Sequence, residues 1–342
     1  MKKVSIILAC MLCGWINLQA QQKFNVQNGT KTAFYNDLET AVQEAVSGDT
    51  IYLPGWRVDI ENSPLVIDKK LALIGAGWDV DSIGGLRTTE IYIKDTNTRA
   101  AINFRNGSDD SFLTGCYLGG IAFGAGADQD IANVTIKRNY IEGASITLGT
   151  GSGTNTTRSI FILENFIRTG IMGRGASDCW INNNLIQSYI SELNNSHIYN
   201  NVLASIASNS ISGNACIYEN NYISTSNQPS GTYCTYNNNA FSGSVSFPSG
   251  TNNGANNLLN QSGAATFEVN SFAHPKYLYI IDSSPCKNAG ADGTDIGMYG
   301  GSDPYKAGAV PFHPHIDKLV ISSQTDKDGN LKVDIQTSSQ TK

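Results

Sequence analysis

Three residues able to lie flat against a ligand, Phe161, Trp180 and His197, recur at intervals of 19 and 17 residues, each just before an Ile and four positions before an Asn. Arg158, Arg174, Asp178 and Glu192 stand shortly upstream of them. Rings flanked by charged and amide groups are what a sugar chain needs: the rings stack on its apolar faces, and the polar groups hold hydroxyls or carboxylates. The competing use of the same residues is packing, in which a loop or a C-terminal element covers the stripe and buries it. Phe161, Trp180, His197, Arg158, Arg174 and Glu192 are therefore the candidate substrate-binding set, provided that the chain stacks them side by side.

The stretch around them supplies the stacking. One phrase recurs as NVTIKRNYI, SIFILENFI, DCWINNNLI, SHIYNNVL, ACIYENNYI and YCTYNNNAF, with its last Asn at 139, 165, 184, 201, 221 and 239. Short repeats of this length are single coils of a solenoid. Five before the Asn the residues are Val134, Ile160, Cys179, Ser196, Cys216 and Cys234. Three before it they are Ile136, Ile162, Ile181, Ile198, Tyr218 and Tyr236, and two after it Ile141, Ile167, Ile186, Leu203, Ile223 and Phe241. These columns point inward, and their period of two over so few residues marks strands with one buried face. A helical repeat would need a period above ~30. The positions four before the Asn (Thr135, Phe161, Trp180, His197, Ile217, Thr235) then face outward on successive coils. Those just after it (Tyr140, Phe166, Leu185, Val202, Tyr222) face outward too, and their apolarity calls for a covering element. The Asn column is expected at the turn between strands, in a left-handed or bridge conformation. At a coil spacing of ~4.8 Å, each amide bonds to the next above and below.

With its asparagine column at a turn, the chain resembles right-handed parallel β-helix proteins of the pectate-lyase-like superfamily, in particular exported bacterial members. The resemblance implies an all-β fold, a single-stranded right-handed parallel β-helix with an N-terminal capping helix. Thr32–Val46 matches that cap, with Leu38, Ala41, Val42 and Ala45 on one face, followed by Gly48-Asp49-Thr50-Ile51-Tyr52. SSPCKNAGADGTDIGMYGG resembles the closing segment of such proteins. It also implies a polysaccharide as partner. Activity in that superfamily is either β-elimination on acidic glycans, with calcium or basic residues neutralising the carboxylate, or hydrolysis between two carboxylates ~5–9.5 Å apart. Neither set is readable: no Arg-x-Pro-x-x-Arg arrangement and no stacked Asp cluster occurs. Asp109-Asp110 lacks the companion motifs of polygalacturonases and reads better as a solvated loop. Catalytic residues are thus not assigned, and a lyase, a hydrolase and a non-enzymatic structural or adhesive surface protein remain open.

Residues 1–20 read as a cleaved export signal, with Lys2 and Lys3, an apolar run from Val4 to Trp15, and Leu18-Gln19-Ala20. Ile7-Leu8-Ala9-Cys10 resembles a lipobox, but few apolar residues precede Cys10, so lipoprotein anchoring is the weaker reading. The remaining chain has no membrane-length apolar run and is expected in the periplasm, at the cell surface or outside the cell, as a monomer. Net charge is −6 with only 15% charged residues, which excludes a nucleic-acid surface and suits a neutral ligand or none.

Cys116, Cys179, Cys216, Cys234 and Cys286 read as small core residues, although Cys216 and Cys234 on successive coils are close enough to consider a bridge. No Cys/His ligand spacing is present and no cofactor is identified. Strand-like runs at Leu65–Ile67, Leu71–Ile74, Glu90–Ile93, Ala101–Phe104 and Ile121–Phe123 extend the helix toward the N-terminus, and Asn257-Leu258-Leu259 forms a last weak coil. The β-helix with its cap is assigned to 21–301, a linker to 302–316, and a C-terminal β-hairpin extension to 317–342. Asp328-Gly329 marks the hairpin turn. Asp326, Asp328 and Asn330 suggest a Ca2+ loop but lack its distal Glu.

Overall fold

The computed structural model describes residues 23–79, 88–126, 130–151, 154–204, 211–225, 227–306, 315–322 and 324–338. The expected export signal, residues 80–87 and most of the linker lie outside the described residues. The chain is a parallel β-helix built on three sheets of 12, 9 and 7 strands among those residues. Seven coils donate one short strand to each sheet, and the coils that begin at Ile217 and Thr235 donate to the first two only. Trp180–Asn182, Leu185–Ile186 and Ile190–Asn194 make one such coil. The next begins with His197–Tyr199 in parallel register, Ile181 opposite Ile198.

The inward columns form the core: Ile136, Ile162, Ile181, Ile198, Tyr218 and Tyr236 are all 0% exposed. The Asn column is equally buried and hydrogen-bonded along its length. Asn165 Nδ2 donates to Asn184 Oδ1 (3.0 Å), Asn184 Nδ2 to Asn201 Oδ1 (2.9 Å), and Asn201 Nδ2 to Asn221 Oδ1 (3.0 Å). Each Oδ1 also accepts the backbone N–H of the preceding rung, as Asn184 Oδ1 does from Asn165 N at 2.8 Å. Asn257 closes the ladder below Asn239. At the other end Asn139 Oδ1 accepts from Cys116 N, so Cys116 occupies the ladder column of the coil before.

The left-handed conformation falls one residue earlier than the sequence suggests. Arg138, Glu164, Asn183, Asn200, Asn220 and Asn238, each just before a ladder Asn, have φ between 52° and 57°. The ladder Asn itself must aim its amide along the stack, so the residue before it turns the chain. A second left-handed column, Asn133, Ser159, Asp178, Asn195, Ala215 and Tyr233, turns the chain into the first sheet. Asn at a turn lowers the cost of φ > 0, which explains the Asn-Asn pairs of the later coils.

All five described cysteines are buried with free thiols. Burial pushes the Cys116 thiol up to about 12 and that of Cys179 up to about 11. A hydrogen bond with the Cys234 sulfur, together with burial, pushes the Cys216 thiol up. A thiol whose folded-state pKa is raised stabilises the fold below the unfolded value and loses that contribution as pH rises toward the folded value. Stability should therefore be flat up to about pH 8.5. Above it, the stability should fall by about 1.4 kcal/mol per pH unit for each such thiol. Urea midpoints at pH 8 and pH 10 measure this, and substituting Ser at Cys116 and Cys179 should flatten the decline.

The N-terminal end is closed by a helix shorter than the sequence pattern suggests. Lys31–Tyr35 is a strand paired antiparallel with Phe24–Asn28, not the first turn of a helix. The helix spans Leu38–Glu44, starting where Asp37 accepts the Thr40 N–H at 2.7 Å. Its Leu38, Ala41 and Val42 cover the first coil. The β-branched and aromatic residues of Thr32-Ala33-Phe34-Tyr35 favour the strand, and the Asn36-Asp37 pair supplies the break.

The last parallel strand is Asn253–Ala255. From 260 to 305 the chain leaves the coil path and runs over the outer face of the second sheet. Phe267, Leu278, Ile280, Met298 and Tyr305 pack there on Phe166, Leu185, Val202, Tyr222 and Ala240, the covering that this apolar column called for. The left-handed turn column grips the cover: Asn183 Nδ2 donates to Met298 O (3.0 Å) and Gly300 O (2.8 Å), and Asn220 Oδ1 accepts from Ala291 N (2.8 Å). Beyond the linker, His315–Ile321 pairs antiparallel with Val333–Ser338. In their turn, Asp326 Oδ1 accepts from Asp328 N and Asn330 N, so the carboxylate of the suggested Ca2+ loop is engaged in closing the turn.

Candidate functional site

The outer face of the first sheet carries two columns. Four before each ladder Asn stand Thr135, Phe161, Trp180, His197, Ile217 and Thr235, each opposite the next in register. Two before it stand Lys137, Leu163, Asn182, Tyr199, Glu219 and Asn237. Trp180 is 39% exposed, while Phe161, His197 and Tyr199 are half-buried, so this stripe is open where the neighbouring sheet is covered. The Trp180 and His197 rings stack at 4.5 Å and 11°, and Tyr199 stands edge-on to Trp180 at 6.0 Å. His197 Nδ1 and Tyr199 Oη are 2.6 Å apart. Burial first, and the Glu219 carboxylate second, hold the Tyr199 phenol above its usual range, which keeps it a neutral hydrogen-bonding group.

Beside the stripe lies a recess of about 180 Å³ lined by Lys137, Phe161, Leu163, Glu164, Trp180, Asn182, Asn183 and Asp303. Asp303, from the end of the covering segment, is exposed and forms one wall. Glu164 forms another but is 2% exposed and fully engaged. Arg138 Nε lies 2.8 Å from Glu164 Oε2, and Lys137 Nζ lies 3.0 Å from Oε1. Arg138 and Glu164 occupy the turn column on adjacent coils, where later coils place Asn. Asn182 is half-buried on the outer face, and its Oδ1 has no hydrogen-bond partner among the described residues.

Phe161, Trp180 and His197 are thus neighbours on one face. Arg158, Arg174 and Glu192 are not part of the recess lining. Arg158 is paired with Asp130 at 2.7 Å, and Arg174 with Glu192 at 3.7 Å. Arg158 sits at β-bridges to Ala132 and Ser177 just ahead of a first-sheet strand, and Arg174 in a left-handed turn ahead of the next. Asp178 accepts from Ser177 Oγ in a left-handed turn.

Lys137, Tyr199 and Asp303 are the residues at this face that the repeat pattern did not single out. The first two follow from extending the outward period by one step. Asp303 has no signal in the repeat, because a segment outside it carries the residue. A further stack missed in sequence lies on the second sheet, with the Arg99 guanidinium between Tyr92 (3.8 Å) and Tyr117 (3.7 Å). Arg99 Nη2 is paired there with Glu90 at 3.0 Å, while its buried Nε has no hydrogen-bond partner among the described residues.

Among the described residues, no group of three His, Cys, Asp or Glu side chains is placed to hold a metal ion. No described helix is long and apolar enough to cross a membrane. Comparison with known proteins finds no family model and no curated protein that this chain matches.

Proposed function

We propose that this chain is an exported β-helix protein of the pectate-lyase-like type that binds polysaccharide along the outer face of its first sheet. The observation that carries the reading is the open Trp180–His197 stack beside the recess walled by Asp303. The two rings spend one face each on the other, so what is left for a pyranose ring is the other face of Trp180, on the side of Phe161 and the recess, with polar groups at its edge. It costs little ordering entropy because the coils and the His197 stack hold the indole in place. Binding has more support than bond cleavage. Of the two carboxylates at the recess, Glu164 is engaged by Arg138 and Lys137, which leaves Asp303 without the second free carboxylate that hydrolysis requires.

Titrating the protein with a panel of neutral and acidic polysaccharides, read by intrinsic tryptophan fluorescence and calorimetry, tests the reading. Trp180→Ala should weaken binding about tenfold or more, with an unchanged unfolding midpoint. Equal affinity of wild type and Trp180→Ala for every glycan that binds would remove the platform from the binding surface. No binding to any glycan would leave the solenoid a spacer or adhesive scaffold. The same incubations, followed at 235 nm and for reducing ends, report any lyase or hydrolase activity.

A further inference from the structure

We infer that the glycan taken by this face is a neutral one, with hydroxyl-rich sugars at the platform and no uronate or sulfate. The inference rests on the glycan-binding reading above and concerns charge alone. Along the outward strand positions from Thr135 to Asn237, Lys137 is the only ammonium or guanidinium, and it is held 3.0 Å from Glu164. Arg158 and Arg174, the nearest arginines in sequence, are each paired with a carboxylate of their own.

The charges without an ion pair are negative, although Lys137 and Arg138 share the one carboxylate of Glu164 and leave that cluster with a surplus positive charge at the recess. Asp303 has no ion pair or side-chain hydrogen bond among the described residues and stands exposed at the wall of the recess beside Phe161 and Trp180. Glu219, likewise without an ion pair, is the register partner of Tyr199 and lies on the far side of the stack. The platform is bracketed by two carboxylates, on a chain whose net charge is −6. An acidic sugar seated there meets a carboxylate at both ends, each of which weakens it about fivefold at low salt, and Lys137, held at Glu164 together with Arg138, returns only part of that loss. A neutral sugar meets groups suited to hydroxyls: a carboxylate that accepts from vicinal O–H groups, the Asn182 amide, and the neutral Tyr199 phenol.

The test uses matched polymers that differ only in charge: polygalacturonate, alginate and a glucuronan, each beside its carboxyl-reduced neutral counterpart. Binding to wild type, Trp180→Ala and the double variant Asp303→Asn/Glu219→Gln is measured by calorimetry at ~50 mM and ~500 mM salt. The neutral member of a bound pair should bind wild type about tenfold or more tightly at the lower salt. The gap should narrow at the higher salt and in the double variant, through tighter binding of the uronate. A uronate bound as tightly as its neutral counterpart, or a double variant that gains nothing for the uronate, overturns the inference while leaving the platform reading intact. Binding of no member of any pair, by wild type and Trp180→Ala alike, removes the glycan reading and this inference with it.

Discussion

Replacing Asn184 by Leu is expected to cost about 3–5 kcal/mol of folding stability, an effect at the upper end for a single substitution. Asn184 lies inside the ladder with a rung on each side. Its Nδ2 donates to Ile162 O (2.8 Å), Asn182 O (2.9 Å) and Asn201 Oδ1 (2.9 Å), and its Oδ1 accepts from Asn165 N and Nδ2. Leucine has the same number of side-chain heavy atoms, but it is bulkier and has none of these polar groups. The Asn165 N–H would lose its acceptor and Ile162 O its side-chain donor in a core that admits no water, at about 1–3 kcal/mol for each stranded group. Backbone strain adds nothing, because the left-handed residue is Asn183. Asn182→Leu, two positions away on the outer face, should change stability by less than about 0.5 kcal/mol, since its Oδ1 has no partner to lose. Urea unfolding of the two variants compares them directly, and equal losses would contradict the register that puts Trp180 on the outer face.

Glu164→Leu is the second large effect, expected at about 3–5 kcal/mol. The side chains of Arg138 and Glu164 are only 1% and 3% exposed, under the covering segment near Tyr305. Removing the carboxylate leaves the guanidinium in a poorly solvated site, which costs more than the intact pair contributes. Lys137, with its side chain 17% exposed, can turn toward water and limits the loss on its side. The double change Arg138→Met/Glu164→Leu takes away both charges and should recover most of the stability. A double-mutant cycle in urea then shows strong coupling, with a double loss well below the sum of the two single losses. A double variant as unstable as Glu164→Leu would mean that the loss comes from repacking the cover, not from the stranded charge.

Both effects depend on positions that the repeat discloses unevenly. The inward Ile, Cys and Tyr columns and the Asn column were legible because each coil must bury the same face and satisfy the same amides as its neighbour. Stacking therefore writes a period into the chain. The outward order Phe161, Trp180, His197 follows from the same register. The third sheet was legible only toward the N-terminus, where Leu65–Ile67, Ala101–Phe104 and Ile121–Phe123 read as strand-like runs; its later strands at Ile146–Thr147, Ile171–Met172 and Ile190–Asn194 are followed by loops of unequal length that blur the repeat. Nor was the start of the helix, where Lys31–Tyr35 shares apolar positions with a helical pattern and pairing with Phe24–Asn28 makes it a strand.

By itself the sequence determined the solenoid, its inward faces and the side on which the aromatic stripe lies, because local periodicity is repeated by every coil. The apolar Tyr140–Tyr222 column already called for a cover, but only the tertiary structure decided what supplies it and that the aromatic stripe stays open. The segment from 260 to 305 has no repeat to announce its path, and it settles on the second sheet through apolar area and the grip of Asn183 and Asn220. The same path brings Asp303 to the recess beside Trp180. Arg158 and Arg174 lie near the stripe in sequence, yet Asp130 and Glu192 hold them in ion pairs. The charge at the site is set by such long-range pairings, which no local pattern encodes.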